Sequence, residues 1–493
     1  MQPKSKNSSY RSALTATICI FFFWGFAASG NALFIPVLKQ QFSLGQFQSQ
    51  LVELSFYAAY FTGSLLYFLI SIKKSNWLAT LGSKKVMAAG LTLSACGTIS
   101  LALATGVHSY ILFLASLFII ALGFSFQQII ANPLLIMLGD EKSGANRLIL
   151  AGAINSFGNT IAPLVLSYFI FGKLSSSGNL SLIAVKPLFF AIAILYVLFA
   201  CWFYSVKLPA TLYTVKDQVT DMGAFRFPQL LLGMVAIFCY VGCEVTIQGN
   251  LPALVADAEI MGLPADKAIH YFSLFGGSLL IGRWTGALFM FNLNKTLTNI
   301  LLFIVPITAF SVVLAVNFIN GSNLSHLITY TPFIFITSLI LLLSNQKTEK
   351  ILFFSAITSI LLIVFSLTVD GRLSMFCIIS IAMLSALLWP CIFSLAISGL
   401  GKYKQQGSSL LVMMIVGGAL FPPIQGFISD LPTIGIRLSF LLPALGYCYI
   451  AWYALTAKKR DNFTTLHSED PERCAIEKED KKSIKNQTAP LEI

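Results

Sequence analysis

Residues 228–256 read PQLLLGMVAIFCYVGCEVTIQGNLPALVA, and they decide the fold class because the stretch is apolar almost throughout. A helix needs about 20 apolar residues to cross the roughly 30 Å hydrocarbon core of a bilayer. This run contains one acid, Glu244, although a charged side chain near the bilayer centre costs at least about 2.5 to 3.5 kcal/mol. Such an acid usually faces a cavity or a partner, so Glu244 is the first residue to which we attach a functional hypothesis.

Apolar runs of similar length follow one another along almost the whole chain. Of its 493 residues, 56% are hydrophobic and 11% are charged, whereas a soluble domain has about 45–50% and about 25%. Backbone in lipid must satisfy its own hydrogen bonds, so continuous apolar runs predict helices. We therefore predict an all-α polytopic membrane protein with about fourteen spans, at residues 14–37, 50–72, 86–106, 109–135, 147–171, 187–206, 228–256, 268–291, 297–317, 326–344, 350–369, 373–398, 408–429 and 436–457.

The basic residues follow the positive-inside rule if both termini are cytoplasmic. Of 32 Lys and Arg residues, five lie after residue 460 and twenty-one on the inner side, which leaves six on the outer side: Lys39, Lys173, Lys186, Lys267, Arg372 and Arg437. Topology thus explains the net charge of +12, which does not indicate a nucleic-acid partner. We expect a multi-pass protein in the lipid bilayer of the cytoplasmic (inner) membrane.

The chain divides at its most polar internal segment, residues 207–227. We predict a cytoplasmic N-terminus at 1–13, a first six-helix bundle at 14–206, a cytoplasmic linker at 207–227 and a second bundle at 228–457. The first apolar run is too long for a signal-peptide core, so we expect it to be retained as a helix. Residues 458–493 mix acids and bases in a composition that cannot bury a core, and we expect them to form a disordered cytoplasmic tail.

A weak internal repeat links the two halves. NSFGNTIAP at 155–163 and VGGALFPP at 416–423 each follow a short basic loop and combine small residues with a later proline. Parallel six-helix halves with substrate between them are the architecture of major facilitator transporters. The second half has two spans more than this plan requires. The surplus lies within residues 297–369, and the sequence does not tell which of the three spans there belongs to the core.

Only two acids, Glu53 and Glu244, lie well inside predicted spans. Gln248 is one helical turn from Glu244 and shares its face. Glu244 has a structural alternative, as a protonated side chain bonded to a neighbouring helix. Glu53 has one too, because it lies near the outer end of its span, where a long side chain can reach the membrane surface.

Amide side chains recur at helical spacing in the first half. Gln128 and Asn132 are four residues apart, as are Asn155 and Asn159, and Asn31 lies in the first span. Amides and carboxylates both hydrogen-bond the hydroxyls of a sugar, while aromatic faces pack on its C–H surfaces. Amides also hydrogen-bond helices to one another, so each amide taken alone fits either sugar binding or helix packing. Together they favour a hydroxyl-rich ligand.

The sequence contains no G-x-x-x-x-G-K-[ST], H-E-x-x-H or G-x-S-x-G motif, so it supports neither an ATP-driven pump nor a familiar hydrolase. Its nine cysteines lack the spacing of a zinc site or a disulfide framework. We expect no enzyme activity, no catalytic residue, no metal and no cofactor, apart from a possible coupling ion, H⁺ or Na⁺.

Several segments resemble the fucose:proton symporter family of the major facilitator superfamily and are closer to its glucose/galactose transporter branch. They are FFFWGFAASGNALFIPVLKQQF, FQQIIANPLLIMLG, INSFG, FCYVGCEVTI, LIGRWTG and WPCIFSLAISGLGKYKQQGSSLLVMMIVGGALFPPIQGFISD. The similarity runs from about residue 18 to about residue 455, outside the surplus spans. It implies a core of two six-helix halves, alternating access and a monosaccharide substrate.

The chain departs from the fucose symporters at two positions. Where they have an Asp after the Asn of the first helix and a Glu before the ANP of the fourth, this chain has Ala32 and Gln128. Neither side chain can carry a proton, which puts fucose-type coupling in doubt. The glucose/galactose branch is similar in having Gln at the position of Gln128 and Glu at that of Glu244, in the pattern kept here as YVGCEV. The resemblance implies that Glu244 lines the central cavity as a sugar ligand, a cation-coupling group or both. Gln248 replaces a glycine preferred in that branch, so the sugar preference stays open.

We predict a secondary transporter, active or facilitative, that moves a hexose such as glucose or galactose, or fucose, by rocking one bundle against the other. The predicted substrate-binding residues are Asn31, Gln128, Asn132, Asn155, Glu244 and Gln248. Glu244 and Glu53 are the predicted cation-coupling residues, and we expect a monomer. Two alternatives remain: another small organic solute on the same fold, and a non-transporting sugar sensor that signals through the tail.

Deleting residues 461–493 separates the transporter from the sensor. We expect the truncated protein to take up sugar at the wild-type rate, because the tail lies outside both predicted bundles. Uptake by cells that produce equal amounts of the two proteins measures this. Absence of uptake by both proteins, together with loss of a sugar-dependent cellular response in the truncated one, would favour the sensor.

Overall fold

The computed structural model describes residues 4–73, 82–138, 144–170, 185–206, 223–258, 260–288, 293–319, 324–345, 347–400 and 403–468. These residues form helices joined by short turns. The helices of nine or more residues, numbered along the chain, are α1 (Lys4–Gln41), α2 (Leu51–Lys73), α3 (Ser83–Val107), α4 (Tyr110–Met137), α5 (Gly144–Ile170), α6 (Lys186–Ser205), α7 (Pro228–Ala256), α8 (Ala265–Ala287), α9 (Lys295–Ile319), α10 (Ile336–Ser344), α11 (Thr348–Thr368), α12 (Gly371–Ile397), α13 (Lys404–Met413), α14 (Gly417–Ser429) and α15 (Leu441–Ser468). Shorter helical turns lie at Gln46–Ser49, Gly223–Arg226, Ser325–Ile328, Thr331–Phe335, Met414–Val416 and Gly435–Ser439.

Eleven helices in the described part of the chain are long and apolar enough to cross a membrane. Two shorter apolar helices lie at Leu150–Leu166 and Thr331–Ser344, and α8 is the remaining long helix. The prediction of a helical protein with many membrane spans is therefore confirmed. The number fourteen stays a prediction.

Two segments differ from the predicted helices. The span predicted at 326–344 is broken into two turns followed by the short helix α10. Pro332 lies at the start of the second turn and has no N–H to donate, which favours a break there. At the C-terminus, α15 continues past residue 457 to Ser468, since the intervening residues include no Gly or Pro. The rest of the predicted tail, and residues 207–222 of the predicted linker, lie outside the described residues.

The two halves repeat one packing pattern. In the first half, α1 packs on α5, α2 on α4, and α3 on both α4 and α6. In the second half, α7 packs on α14, α8 on α12, and α11 on both α12 and α15. Helix α11 therefore makes the contacts that α3 makes in the first half, while α9 and α10 have no counterpart.

Glycines allow the closest of these helix contacts. A Cβ on Gly158 of α5 would overlap the carbonyl oxygen of Phe22 on α1, and a Cβ on Gly417 of α14 would overlap that of Phe238 on α7. Each glycine lies five residues before a proline, in the two segments that form the weak repeat in the sequence. The repeat therefore corresponds to one helix contact made once in each half.

Helix α8 is polar for a membrane helix, and the two unmatched helices cover it. Asn317 of α9 donates to Ser273 Oγ over 3.0 Å, and Ser278 shares a hydrogen bond of 2.9 Å with Tyr330. On its other side α9 exposes apolar side chains, among them Phe303 and Ile304. Helix α9 and the turns before α10 thus bond to polar groups of α8, and α9 presents an apolar surface to the membrane.

The halves meet mainly through α5 with α8, α2 with α14, and α1 with α7. Among the described residues, α4 and α12 make no extensive contact with each other. The halves are therefore joined mainly along these three helix pairs, whereas the described residues of α4 and α12 do not pack against each other.

We expect Gly158→Ala to lower the melting temperature of the detergent-purified protein, because the added methyl group pushes α1 and α5 apart. Overpacking of this kind costs about 1–3 kcal/mol. Gly106→Ala in α3 is the matched control, since the nearest atom to its added Cβ is Lys186 Nζ at 3.9 Å. Equal melting temperatures for the two variants would contradict the proposed role of Gly158.

Candidate functional site

Glu244 lies half-buried on α7 with an aromatic surface beside it. Tyr240, one turn earlier, donates its hydroxyl to Glu244 Oε2 over 2.8 Å. The Tyr240 ring packs on Trp389 of α12, and Trp389 stacks on Phe393 at a centroid distance of 6.1 Å and an interplanar angle of 22°. The second half therefore places an oriented carboxylate next to three aromatic rings.

The first half faces this group with Gln128 and two tyrosines. Gln128 Nε2 of α4 donates to the Tyr60 hydroxyl of α2 over 3.4 Å. Tyr60 stacks on Tyr57 at 6.1 Å, and Tyr57 lies within electrostatic range of Glu244. Gln128, Tyr60 and Tyr57 thus form one connected group on the first half.

Three of the predicted site residues keep polar atoms free for a ligand. Gln128 Oε1 and Glu244 Oε1 accept no hydrogen bond from any described residue. Gln248, 7% exposed and one turn from Glu244, makes no side-chain hydrogen bond within the described part of the chain. Two amides and a carboxylate flanked by aromatic rings form the kind of site that holds a small polyhydroxylated molecule.

Arg283 of α8 is a polar residue of this region that the sequence analysis did not identify. Its Nη1 donates to the carbonyl of Gly152 over 2.7 Å, to Asn155 Oδ1 over 3.1 Å and to Ser156 Oγ over 2.6 Å, all on α5. Its positive charge also interacts electrostatically with Glu244, although the two side chains form no ion pair. Arg283 thus connects the two halves beside the site.

Two predicted site residues have other surroundings. Asn155 accepts from Arg283 and donates to the Phe21 carbonyl over 3.0 Å, so both ends of its amide are occupied. Asn31 is 2% exposed, and its Nδ2 has no partner. It lines a cavity of about 50 Å³ inside the first half, together with Phe34, Phe56 and Tyr196. The side chain of Asn132 lies outside the described residues.

From sequence alone, a basic residue near a helix end can belong either to a loop or to the helix interior. The positive-inside count therefore places Arg283 among the twenty-one basic residues of the inner side. Its place in LIGRWTG, between two glycines of an apolar helix, was the available signal. Without Arg283 the inner side keeps a large excess of basic residues, so the predicted orientation does not depend on it.

At the predicted outer end, a chain of amides joins the halves. Gln46 Nε2 donates to Asn250 Oδ1 over 2.8 Å, and Asn250 Nδ2 donates to Gln425 Oε1 over 3.2 Å. Gln425 Nε2 continues the chain to Ser439 Oγ at 2.9 Å. Lys39 donates to Gln46 Oε1 over 2.6 Å. Polar side chains of α7 and α14 therefore close on the loop between α1 and α2.

Asp430, directly after α14, fixes the same loop. Its two carboxylate oxygens accept from the backbone N–H groups of Gln46 and Phe47, each over 2.9 Å. Glu53 lies nearby on α2, 2% exposed, with Oε2 lacking a hydrogen-bond partner. Of the two predicted coupling acids, Glu53 thus lies at the closed end of the protein and not beside Glu244.

A double-mutant cycle tests the link made by Arg283. We expect Arg283→Met and Ser156→Ala each to lower the free energy of unfolding, and the double variant to lose less than the sum, with a coupling of at least about 1 kcal/mol. Denaturant unfolding in detergent measures the three values. Arg283→Met with Ser366→Ala is the control pair, because the Ser366 hydroxyl donates to the Ile363 carbonyl within α11. An additive result for Arg283 with Ser156 would contradict the link.

Comparison with known proteins gives full-length matches. The chain is 30% identical to a glucose/galactose transporter of Brucella abortus over 92% of this chain and 96% of that protein. It is 28% identical to a putative glucose/galactose transporter of Helicobacter pylori, over 93% and 99%. It is 27% identical to the L-fucose-proton symporter of Escherichia coli, over 89% and 92%.

Solved structures agree with this fold. The major facilitator transporter FucP in an outward conformation superposes with a TM-score of 0.62 at 25% identity, over 91% of this chain and 99% of that one. An inward-facing bacterial homologue of the lysosomal transporter Spinster gives 0.62 at 13% identity, over 93% and 98%, which shows the fold alone. No protein-family model matches the chain. The long matches at 27–30% identity confirm the resemblance and identify transporters, not enzymes, as its relatives: the chain belongs to the fucose:proton symporter and glucose/galactose transporter family of the major facilitator superfamily.

Proposed function

We propose that this protein transports a hexose across the cytoplasmic membrane by alternating access. The observation that carries the proposal is the Glu244 carboxylate, oriented by Tyr240 beside the rings of Trp389 and Phe393. A carboxylate accepts from two neighbouring sugar hydroxyls, while the ring faces pack on the C–H surface of a pyranose. The relatives named as glucose/galactose transporters support this class of substrate.

In this proposal Gln128, Glu244 and Gln248 contact the sugar, since they retain free polar atoms. Asn155 acts through Arg283, which it helps to hold between α5 and α8. Asn132, one turn beyond Gln128 in the sequence of α4, stays a proposed sugar contact. Asn31 shapes the interior of the first half and supports α1, whose opposite face meets α7.

The proposed architecture has fourteen membrane crossings, with both termini cytoplasmic. Two six-helix halves, within 14–206 and 228–457, rock as units, and α9 and α10 are the two-helix insertion within 297–369. The repeated packing of α3 and α11 supports this division. The positive-inside charge distribution supports the orientation. We propose a monomer, because each half of the site comes from one chain.

The proposed cycle exchanges closure at one end for closure at the other. The amide chain through Gln46, Asn250 and Gln425 supports a state closed to the outside. The lack of packing between α4 and α12 in the described part of the chain supports access from the cytoplasm. A gradient of H⁺ or Na⁺ drives net movement of the sugar, with Glu244 and Glu53 as the acids available for coupling.

Uptake of labelled glucose and galactose into proteoliposomes tests the proposal. We expect uptake by the wild type, stimulated by an imposed H⁺ or Na⁺ gradient, and an apparent affinity about 10- to 100-fold weaker for Glu244→Gln. That factor corresponds to the roughly 1.5–3 kcal/mol of a hydrogen bond to a charged group.

Tyr240→Phe is the matched control, since it keeps the ring and the carboxylate and removes only the bond between them. We expect a smaller loss of affinity than in Glu244→Gln. Gradient-independent uptake would make the protein a facilitator. If neither glucose nor galactose enters the proteoliposomes or competes for uptake under any gradient, the hexose assignment is rejected.

A further inference from the structure

Two buried oxygen atoms without hydrogen-bond partners belong to neighbouring side chains at the closed outer end. Gln50, 0% exposed, has an Oε1 with no partner, and Glu53, one turn further on, has an Oε2 with no partner. Both side chains border Gly249 of α7. A Cβ atom added to Gly249 would lie 2.9 Å from Gln50 Oε1 and 3.6 Å from Glu53 Oε1. Two buried acceptors placed together lack the donor that would satisfy them.

The Gly249 carbonyl of α7 fixes the orientation of the Gln50 amide. Its Nε2 donates to the Gly249 carbonyl over 3.3 Å. A carbonyl only accepts hydrogen bonds, so it selects the nitrogen end of the amide and leaves Oε1 on the side of Glu53. Gln50 therefore offers Glu53 an acceptor and not a donor.

A proton on Glu53 satisfies both oxygens at once. A protonated carboxyl has one O–H donor, and Gln50 Oε1 is the free acceptor beside it. An ionised and unpaired carboxylate at this depth costs several kcal/mol. We propose, on the basis of the transport function above, that Glu53 carries the coupling proton and donates it to Gln50 Oε1 whenever the outer end closes on Gly249.

The other titratable groups around this junction are engaged elsewhere. Lys39 of α1 bonds Gln46, Asp430 after α14 bonds the backbone of Gln46 and Phe47, and Tyr110 of α4 donates to the Gln48 carbonyl. Tyr57 on α2 lies within electrostatic range of both Glu53 and Glu244.

Closure and protonation are linked by this arrangement. When α2 separates from α7, water reaches Glu53 and the carboxyl can ionise in contact with the outside. Closing the end again removes that water, so closure takes up one proton from the outside. The proton thus enters at the outer contact, away from the carboxylate that we assign to sugar binding.

The test combines two measurements on proteoliposomes without an imposed gradient. Labelled glucose or galactose exchange reports the rocking cycle, and an external pH indicator reports proton movement when sugar is added. We expect the wild type to show both. Glu53→Gln replaces the O–H donor by an N–H donor, so we expect wild-type exchange and loss of sugar-driven proton movement. Gln50→Met removes the acceptor, and we expect half-maximal proton movement at a lower pH.

Different results distinguish this inference from the hexose assignment. Sugar-driven proton movement by Glu53→Gln at the wild-type rate overturns the inference. Hexose exchange by the wild type without any proton movement, whether Na⁺-driven or uncoupled, also overturns it and leaves the hexose assignment standing.

Infrared spectroscopy tests the buried pair even if neither sugar is transported. We expect the sugar-free wild type at neutral pH to show a protonated-carboxyl C=O band that shifts in D₂O. The band should be absent from Glu53→Gln and altered in Gln50→Met. A spectrum of Glu53→Gln identical to that of the wild type in this region would overturn the proposed protonation.

Discussion

The structure depends on two contacts in which a glycine lies directly against the backbone of a neighbouring helix. Lipid supplies no hydrophobic force between helices, so helices in a membrane associate by close packing of small residues. Gly158 against Phe22 and Gly417 against Phe238 provide this packing once in each half. The helix that carries the acid, α7, and its counterpart α1 are thereby each fixed to a partner within their own half. A half that is rigid in this way can move as a unit.

The contacts between the halves include glycine packing too, since Gly276 of α8 lies against the Asn159 backbone of α5. They add amide-to-amide bonds, a carboxylate on backbone N–H groups, and one arginine on a carbonyl, an amide and a hydroxyl. Hydrogen bonds of this type contribute little net free energy, because water replaces them when they open. The polar bonds between the halves are therefore exchangeable, which is a property that rocking requires.

Sequence reasoning was strongest where the membrane itself sets the rule. The length of the apolar runs predicts the long helices, and the cost of a buried charge singles out Glu244 and Glu53. Helical spacing gives the face of a residue but not the helix that the face meets, so Asn31 and Asn155 could not be assigned to their different surroundings. Arg283 was missed because an arginine near a helix end can reach water or turn inward. The equivalence of α11 to α3 depends on packing between distant segments, which no local pattern encodes.

The inserted helices alter what surrounds α8. In a bundle without them, one face of α8 would meet acyl chains, and Ser273 and Ser278 would keep only their bonds to the Thr160 and Leu274 carbonyls. Here Asn317 and Tyr330 supply further partners from the same polypeptide. Helix α8, which carries Arg283 to the junction of the halves, is therefore screened from the annular lipid on that side. Bilayer thickness and acyl-chain composition consequently act on this arginine only through the two added helices.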